Sequence, residues 1–343
     1  MKAAVLHGKN DLRFEEIKTP EINANEILIK VKATGICGSD KPRVLGDASH
    51  YYPNILGHEF SGVIEKIGSD VNEKLEIGDK VSAAPLKPCH ECDSCLKGDY
   101  ALCNNYSFIG SREFGTWAEY VKVPSKNVVK LPDNVDFTAG AFLEPITVAL
   151  HGLLLMGFEP LTNVAITGMG TIGLLTLQCA KIMGAKEITV FDIDDDKLEL
   201  AKKLGADYAV NTKEENFRDQ IDIDNGFEMV LETAGVPQTE LLCLEIAGNK
   251  AKVMFIGTPH KDFNITPKQF ENINRKELTI GGSWMSYSAP FPGKEWELAS
   301  YYLGKEKINT NLLIDKEYSL SNINDAFDRI RNNLDSGKLM LKI

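Results

Sequence analysis

The stretch Asn163-Val-Ala-Ile-Thr-Gly168-Met-Gly170-Thr-Ile-Gly173 decides how this chain is built. Val164 to Thr167 read as a short apolar strand. The glycines follow at the G-x-G-x-x-G spacing and lead into Leu174-Leu-Thr-Leu-Gln-Cys-Ala-Lys-Ile, an amphipathic helix. In that setting the first glycine closes a tight turn, the second lets backbone approach a pyrophosphate, and the third lets helix and strand pack closely. The free amides of the helix N-terminus then face the anion. The next run, Glu187-Ile-Thr-Val-Phe-Asp-Ile, is a second strand that brings Asp192 nineteen residues beyond Gly173. A carboxylate there accepts hydrogen bonds from ribose hydroxyls and repels a 2′-phosphate. Gly168, Gly170, Thr171, Ile172, Gly173 and Asp192 are therefore candidate cofactor-binding residues, with NAD favoured over NADP. A doubly wound sheet that uses the same glycines for packing alone is the other reading.

Downstream, apolar strands keep alternating with amphipathic helices through residues 195–205, 227–234, 252–258 and 278–283, the pattern of an α/β domain with a parallel, doubly wound sheet. Upstream the texture differs. Residues 1–132 carry short β-like runs at 26–36, 60–68, 79–85 and 116–123, separated by Gly, Pro and Asp, so this part reads as mostly β. An apolar helix from about Ile146 to Met156 would connect the two. Helices near Lys294–Leu303 and Asn322–Asn333 and a last strand, Leu339–Ile343, read as a tail returning to the first domain. The expected division is 1–147, 148–285 and 286–343.

Four of the seven cysteines fall together as Cys89-x2-Cys92-x2-Cys95-x7-Cys103, four thiolates from one loop, which suits a closed tetrahedral zinc site. An iron–sulfur cluster is the rival, but the seven-residue final gap followed by Asn104 departs from the ferredoxin pattern. Other metal-binding residue types are dispersed: Cys37 in Thr34-Gly-Ile-Cys-Gly-Ser-Asp40, the pair His58-Glu59, and Glu144 before Pro145. Each has a bland reading, as a small buried hydrophobe, a core histidine or a carboxylate at a helix start. Dispersion is nevertheless what an open catalytic metal site needs.

Composition narrows the function classes. Across 343 residues, 38 Lys and Arg against 49 Asp and Glu give a net charge of -11, which repels nucleic acid and anionic membranes. With 43% hydrophobic and 25% charged residues the chain is an ordinary globular one rather than a disordered one. The uncharged run Pro160–Ala180 is interrupted by Asn163, Gln178 and glycines and is no membrane span. The start of the chain, Met1-Lys-Ala-Ala-Val-Leu-His-Gly, has no apolar signal core and leads to the expectation of a cytoplasmic protein.

The Gly57-His58-Glu59 motif, the four-cysteine loop and the G-x-G-x-x-G, in this order, resemble the zinc-dependent medium-chain dehydrogenase family over the whole chain. The resemblance implies a GroES-like catalytic domain, a Rossmann coenzyme domain, two Zn2+ per chain, NAD and a homodimer. It makes Cys37 and His58 ligands of a catalytic zinc and Ser39 part of a hydroxyl relay for the alcohol proton. Where alcohol dehydrogenases carry a further cysteine ligand this chain has Glu144, so the polyol branch fits better, with Glu59 and Glu144 sharing the carboxylate roles. Which of them binds zinc directly stays open. The segments His50-Tyr51-Tyr52-Pro53, Phe108–Arg112, Leu231–Gln238, Gly282–Met285 and Pro292–Trp296 are similar to a branch acting on polyol phosphates. An acidic protein holding a phosphomonoester needs a local positive pocket. Arg112, Lys41 and Arg43 are its first candidates, with His50 and Lys294 behind them. An unphosphorylated polyol as substrate, a non-catalytic NAD-binding redox sensor and a zinc-ribbon nucleic-acid binder are the competing readings, the last disfavoured by charge.

Overall fold

A computed structural model of the protein describes residues 1–72, 74–221, 225–259 and 261–343. The chain divides into two compact units, Met1–Thr147 with Tyr287–Ile343, and Val148–Ser286.

The first unit is built on a seven-stranded sheet. Its strands run in the order Ile314–Ser319, Lys338–Lys342, Glu26–Gly35, Phe60–Ile67, Lys80–Ala83 and Val128–Lys130, and Tyr120–Pro124 also pairs with Glu26–Gly35. The long strand Glu26–Gly35 forms because β-branched Ile27, Ile29 and Val31 enter one core with Phe60, Ile64, Val81, Val121 and Val123. A second core packs the hairpin strands Lys2–Gly8 and Asp11–Glu16 on Trp117, Phe327, Leu339 and Leu341. The tail thus contributes two strands to the sheet and a buried aromatic, Phe327, to this core. Met340 lies opposite Gly35, and Ile36 N–H donates to Leu339 O at 3.0 Å, so Lys338 runs past the end of the long strand toward Cys37.

The second unit holds a six-stranded, fully parallel sheet ordered Tyr208–Asn211, Glu187–Asp192, Asn163–Thr167, Phe227–Glu232, Ala247–Phe255, Thr279–Gly282. In chain order this is 3-2-1-4-5-6, the dinucleotide-binding arrangement. Val164, Ala165 and Ile166 are all fully buried because helices cover both faces of a parallel sheet.

Several details differ from the sequence reading, among them the strand Ile314–Ser319, absent from the expected tail. Tyr208–Asn211 is a strand that the pattern did not reveal; it is four residues long and pairs on one side only, so it carries little periodicity. The connecting helix begins at Leu143 rather than near Ile146, which puts Glu144 in its first turn. Among the described residues no helix is long and apolar enough to cross a membrane.

Candidate active site and metal centres

The four cysteines of the loop converge. Cys92 is the N-cap of the short helix Asp93–Leu96, and the turn Tyr100–Leu102 delivers Cys103. Sulfur–sulfur distances are 3.9 Å for Cys89–Cys95, 3.9 Å for Cys92–Cys103 and 3.5 Å for Cys89–Cys103. Four sulfurs ~2.3 Å from a tetrahedral centre lie ~3.8 Å apart, so the set has the dimensions of a zinc tetrathiolate and not of disulfides. Backbone N–H groups of Cys92 and Cys89 donate to Cys89 Sγ (3.4 Å) and Cys103 Sγ (3.3 Å). Amides of Cys95 and Asn104 pull the Cys92 thiol below its ordinary pKa, toward thiolate.

A second donor set lies in the same unit. Ligand atoms of Cys37, His58 and Glu59 all fall within 4.8 Å of one another. Cys37 follows the long strand and precedes the turn Gly38–Asp40; His58 and Glu59 immediately precede the strand Phe60–Ile67. His58 and Glu59 are buried, and the His58 ring meets Phe108 edge-on at 5.5 Å. Its Nδ1 is buried without a hydrogen-bond partner among the described residues, which a native core avoids unless something binds there. Burial alone would lower the His58 pKa, but Cys37, Asp40 and Glu144 raise it to about 10, so the pocket favours positive charge. Soft sulfur, imidazole and carboxylate at this spacing fit a zinc ion. Glu144, also buried, lies in the same field without joining the three; burial raises its pKa to about 7, with His58 pulling it down and Glu59 pushing it up.

Around these donors stand residues that hold them. Ser39 Oγ donates to Cys37 Sγ at 3.3 Å and is exposed on its other side. Fully buried Asp40 accepts Cys37 N–H at 3.1 Å. Lys338 Nζ donates to both oxygens of Glu59 at 2.7 Å, with the two side chains 5% and 3% exposed. Gly35 backs this pair closely, since a Cβ there would stand 2.2 Å from Glu59 Oε2. Sequence reasoning found neither Lys338 nor Gly35; a lysine opening an apolar terminal strand was the only signal.

In the second unit the glycines behave as their spacing requires. Gly168 has φ +87°, and a Cβ on Gly173 would meet Gly168 O at 1.8 Å. A Cβ on Gly170 would touch nothing within 4 Å, leaving room before the helix Thr171–Ile182, whose N-cap Gly170 supplies no side chain to its free amides. That open cradle fits a pyrophosphate. Asp192 Oδ2 accepts Met169 N–H at 2.6 Å, and Oδ1 accepts the amides of Ile193 and Asp194, so the carboxylate stands directly at the glycine turn.

Residues 23–133 match the alcohol dehydrogenase GroES-like domain, and residues 171–300 match the zinc-binding dehydrogenase family. The chain is 45% identical to galactitol 1-phosphate 5-dehydrogenase of Escherichia coli (strain K12), covering 99% of each chain. The chain belongs to the zinc-binding dehydrogenase family. The crystal structure of galactitol-1-phosphate dehydrogenase from Escherichia coli superposes on it with a TM-score of 0.94 at 44% identity, covering 100% of both chains. Sorbitol dehydrogenase of Bacillus subtilis (strain 168) is 33% identical over 96% of this chain and 93% of its own.

Within this dehydrogenase the basic residues singled out for a phosphate have different fates. Lys41 Nζ is paired with Asp335 at 2.5 Å. Arg43 Nη1 donates to Ser39 O and Oγ, both at 2.9 Å, and to Asp40 Oδ1 at 3.3 Å. Arg112 lies over the Tyr106 ring at 4.3 Å and donates to its hydroxyl, a neutral partner. Tyr51 stacks on Phe114, which brings the loop after His50 against the loop after Arg112. The pKa of His50 is lowered by burial and then by the charges of Arg112 and Arg43. Lys294 begins the helix Lys294–Gly304 and is exposed.

Proposed function

We propose that this protein oxidises a secondary alcohol of a polyol phosphate, galactitol 1-phosphate to tagatose 6-phosphate, with NAD as hydride acceptor and two zinc ions per chain. The observation that carries this reading is the 45% identity, over 99% of each chain, to an enzyme named for galactitol 1-phosphate, together with the buried Cys37, His58 and Glu59 donor set. Cys37 and His58, with Glu59 or Glu144, would hold the catalytic zinc, and Cys89, Cys92, Cys95 and Cys103 the structural one. When bound, the metal supplies Lewis acidity toward the substrate hydroxyl and the dinucleotide accepts the hydride.

The protein's own residues do the rest. Asp40 and Lys338 fix Cys37 and Glu59 in place, which preserves the donor spacing. Ser39, bonded to Cys37 Sγ and exposed outward, passes the alcohol proton toward solvent. Arg43 donates to Ser39 Oγ, which leaves the hydroxyl hydrogen free to point at its acceptor. Gly170 and the amides of Thr171 and Ile172 receive the pyrophosphate, and Asp192 repels a 2′-phosphate, favouring NAD.

Arg112 heads the phosphate contacts because its partner is neutral, whereas Lys41 and Arg43 already face carboxylates; Arg112 and Arg43 together make a positive corner that disfavours protonation of His50. The strand Thr279–Gly282 ends the parallel sheet and is mostly exposed, with Ile280 41% accessible and Trp284, just beyond the strand, 60%; a second copy of this chain would cover it as a homodimer.

The deciding experiment compares kcat/KM for galactitol 1-phosphate and galactitol in the parent and in Arg112→Ala. One charge-assisted phosphate contact is worth about 1.5–3 kcal/mol, so the variant should lose about ten- to a hundredfold on the phosphate ester and little on galactitol. Equal losses on both would leave Arg112 structural. A parent enzyme that prefers galactitol or sorbitol would establish instead the unphosphorylated reading that the sorbitol dehydrogenase likeness favours.

A further inference from the structure

The cysteine loop projects with little apolar purchase of its own: Leu96 and Leu102 are 73% and 60% exposed. Its contacts run through aromatic rings instead. His90 and Tyr100, both inside the loop, meet Phe291 edge-on at 5.7 Å and 5.4 Å, and each other at 5.7 Å. Phe291 stacks on Tyr287 at 5.8 Å, and Tyr287 on Trp296 at 5.9 Å, with interplanar angles of 16° and 20°. These three residues open the returning segment of the first unit, and Trp296 is fully buried. Gly98, with φ +86°, lets the loop approach so closely that a Cβ there would stand 2.8 Å from Ala289 Cβ.

From the middle of the train a second path leads toward the catalytic donors. Tyr287 Oη accepts Leu86 N–H at 3.2 Å. Leu86 pairs with Phe108 across the two short strands that form the stem of the loop, and Phe108 is the ring set edge-on against His58. Edge-to-face and offset ring pairs contribute beyond their buried area, and the three pairs among His90, Tyr100 and Phe291 continue through Tyr287 to Trp296 as one contiguous contact.

We propose that the cysteine loop is a metal-dependent clamp on the returning segment: its four thiolates, held together by zinc, keep His90 and Tyr100 on Phe291, and through Tyr287 this fixes the Leu86–Phe108 stem that orients His58. Tyr287 and Phe291 are positioning residues in this arrangement. The clamp rests on the reading of the four cysteines as a zinc site, and the experiment separates the two.

The test uses the full chain carrying Trp117→Phe and Trp284→Phe, so that emission reports Trp296. Zinc is stripped from the thiolates with an organomercurial and counted with a chromogenic chelator, while hydrogen exchange is followed by mass spectrometry. On zinc release, Trp296 emission should shift to the red and amides of 287–296 should exchange at least tenfold faster, with strand 163–167 of the other unit unchanged. Phe291→Ala should give the same loosening with zinc retained, and Phe291→Leu a smaller one. Tyr287→Phe keeps the stack and removes the acceptor, so Leu86 should exchange about tenfold faster while Trp296 emission stays put. Zinc release that leaves both emission and the 287–296 exchange unchanged overturns the clamp. If the cysteines hold no zinc, the metal reading falls, and Phe291→Ala alone decides whether the rings fasten the segment: unchanged exchange rejects it, faster exchange sustains it.

Discussion

Lys338→Met removes the ammonium that donates to both oxygens of Glu59 at 2.7 Å and keeps most of the apolar stem. With the partners 5% and 3% exposed, water cannot replace the lost contact. Gly35 leaves the carboxylate just enough room, since a Cβ there would stand 2.2 Å from Glu59 Oε2. Removing one partner of a buried pair leaves a desolvated charge and costs about 3–5 kcal/mol. At ~2–4 °C per kcal/mol for a unit of this size, the first unit should melt about 6–20 °C lower. The assay is thermal unfolding followed by circular dichroism in the presence of a chelator, so that no cation re-pairs Glu59. The double variant Lys338→Met/Glu59→Gln, which removes the stranded charge, should recover at least half of the loss. A cost below about 1 kcal/mol, or a double variant no better than the sum of the singles, would refute the claim that this pair holds the donor set together. Adding zinc back should stabilise Lys338→Met more than the parent if the freed carboxylate can serve as a ligand, which bears directly on the choice between Glu59 and Glu144.

The two glycines of the turn should separate binding from folding. Gly170→Ala faces open space and should melt like the parent while weakening NADH binding at least tenfold by fluorescence titration, whereas Gly173→Ala drives a Cβ into Gly168 O and should destabilise the second unit; an unchanged NADH affinity in Gly170→Ala would remove the pyrophosphate cradle. Asp192→Ala should weaken NAD and narrow its advantage over NADP in steady-state kinetics, because the carboxylate beside Met169 N–H both organises the turn and repels a 2′-phosphate; equal use of both cofactors by the parent would contradict this. Asp315 supplies a pH signature. Burial pushes its pKa up, but the two hydrogen bonds from Arg329 and one from Ser336 N–H outweigh that and leave it below the ordinary value. A folded-state pKa below the unfolded one gives stability that is complete above the ordinary carboxylate range, near pH ~4, and disappears as pH falls through the folded value. Asp315→Asn should therefore lower the melting temperature at neutral pH and converge with the parent in acid; a constant difference at every pH would rule out this linkage.

What the sequence determined by itself was local. The strand-turn-helix pattern around Gly168, Gly170 and Gly173 specifies backbone geometry within a dozen residues, and alternation of strands and helices specifies a parallel sheet. The four-cysteine spacing is legible for the same reason, because one loop carries every sulfur and only local turns are needed to bring them together. The strand Tyr208–Asn211 escaped because a short strand paired on one side carries too little pattern, and the start of the helix at Leu143 because a helix boundary is set by what buries Phe142 and Leu143. Tertiary structure alone decided the rest. Cys37, His58 and Glu59 approach one another because two antiparallel strands end side by side, and Lys338 reaches Glu59 across 279 residues of chain because the last strand pairs with the long one. Arg112, Lys41 and Arg43 look alike in sequence, and only their neighbours, a tyrosine ring, Asp335, and Ser39 with Asp40, distinguish a cation free for a substrate from one already engaged. A charge is read from one residue, but whether it is free is a property of everything packed around it.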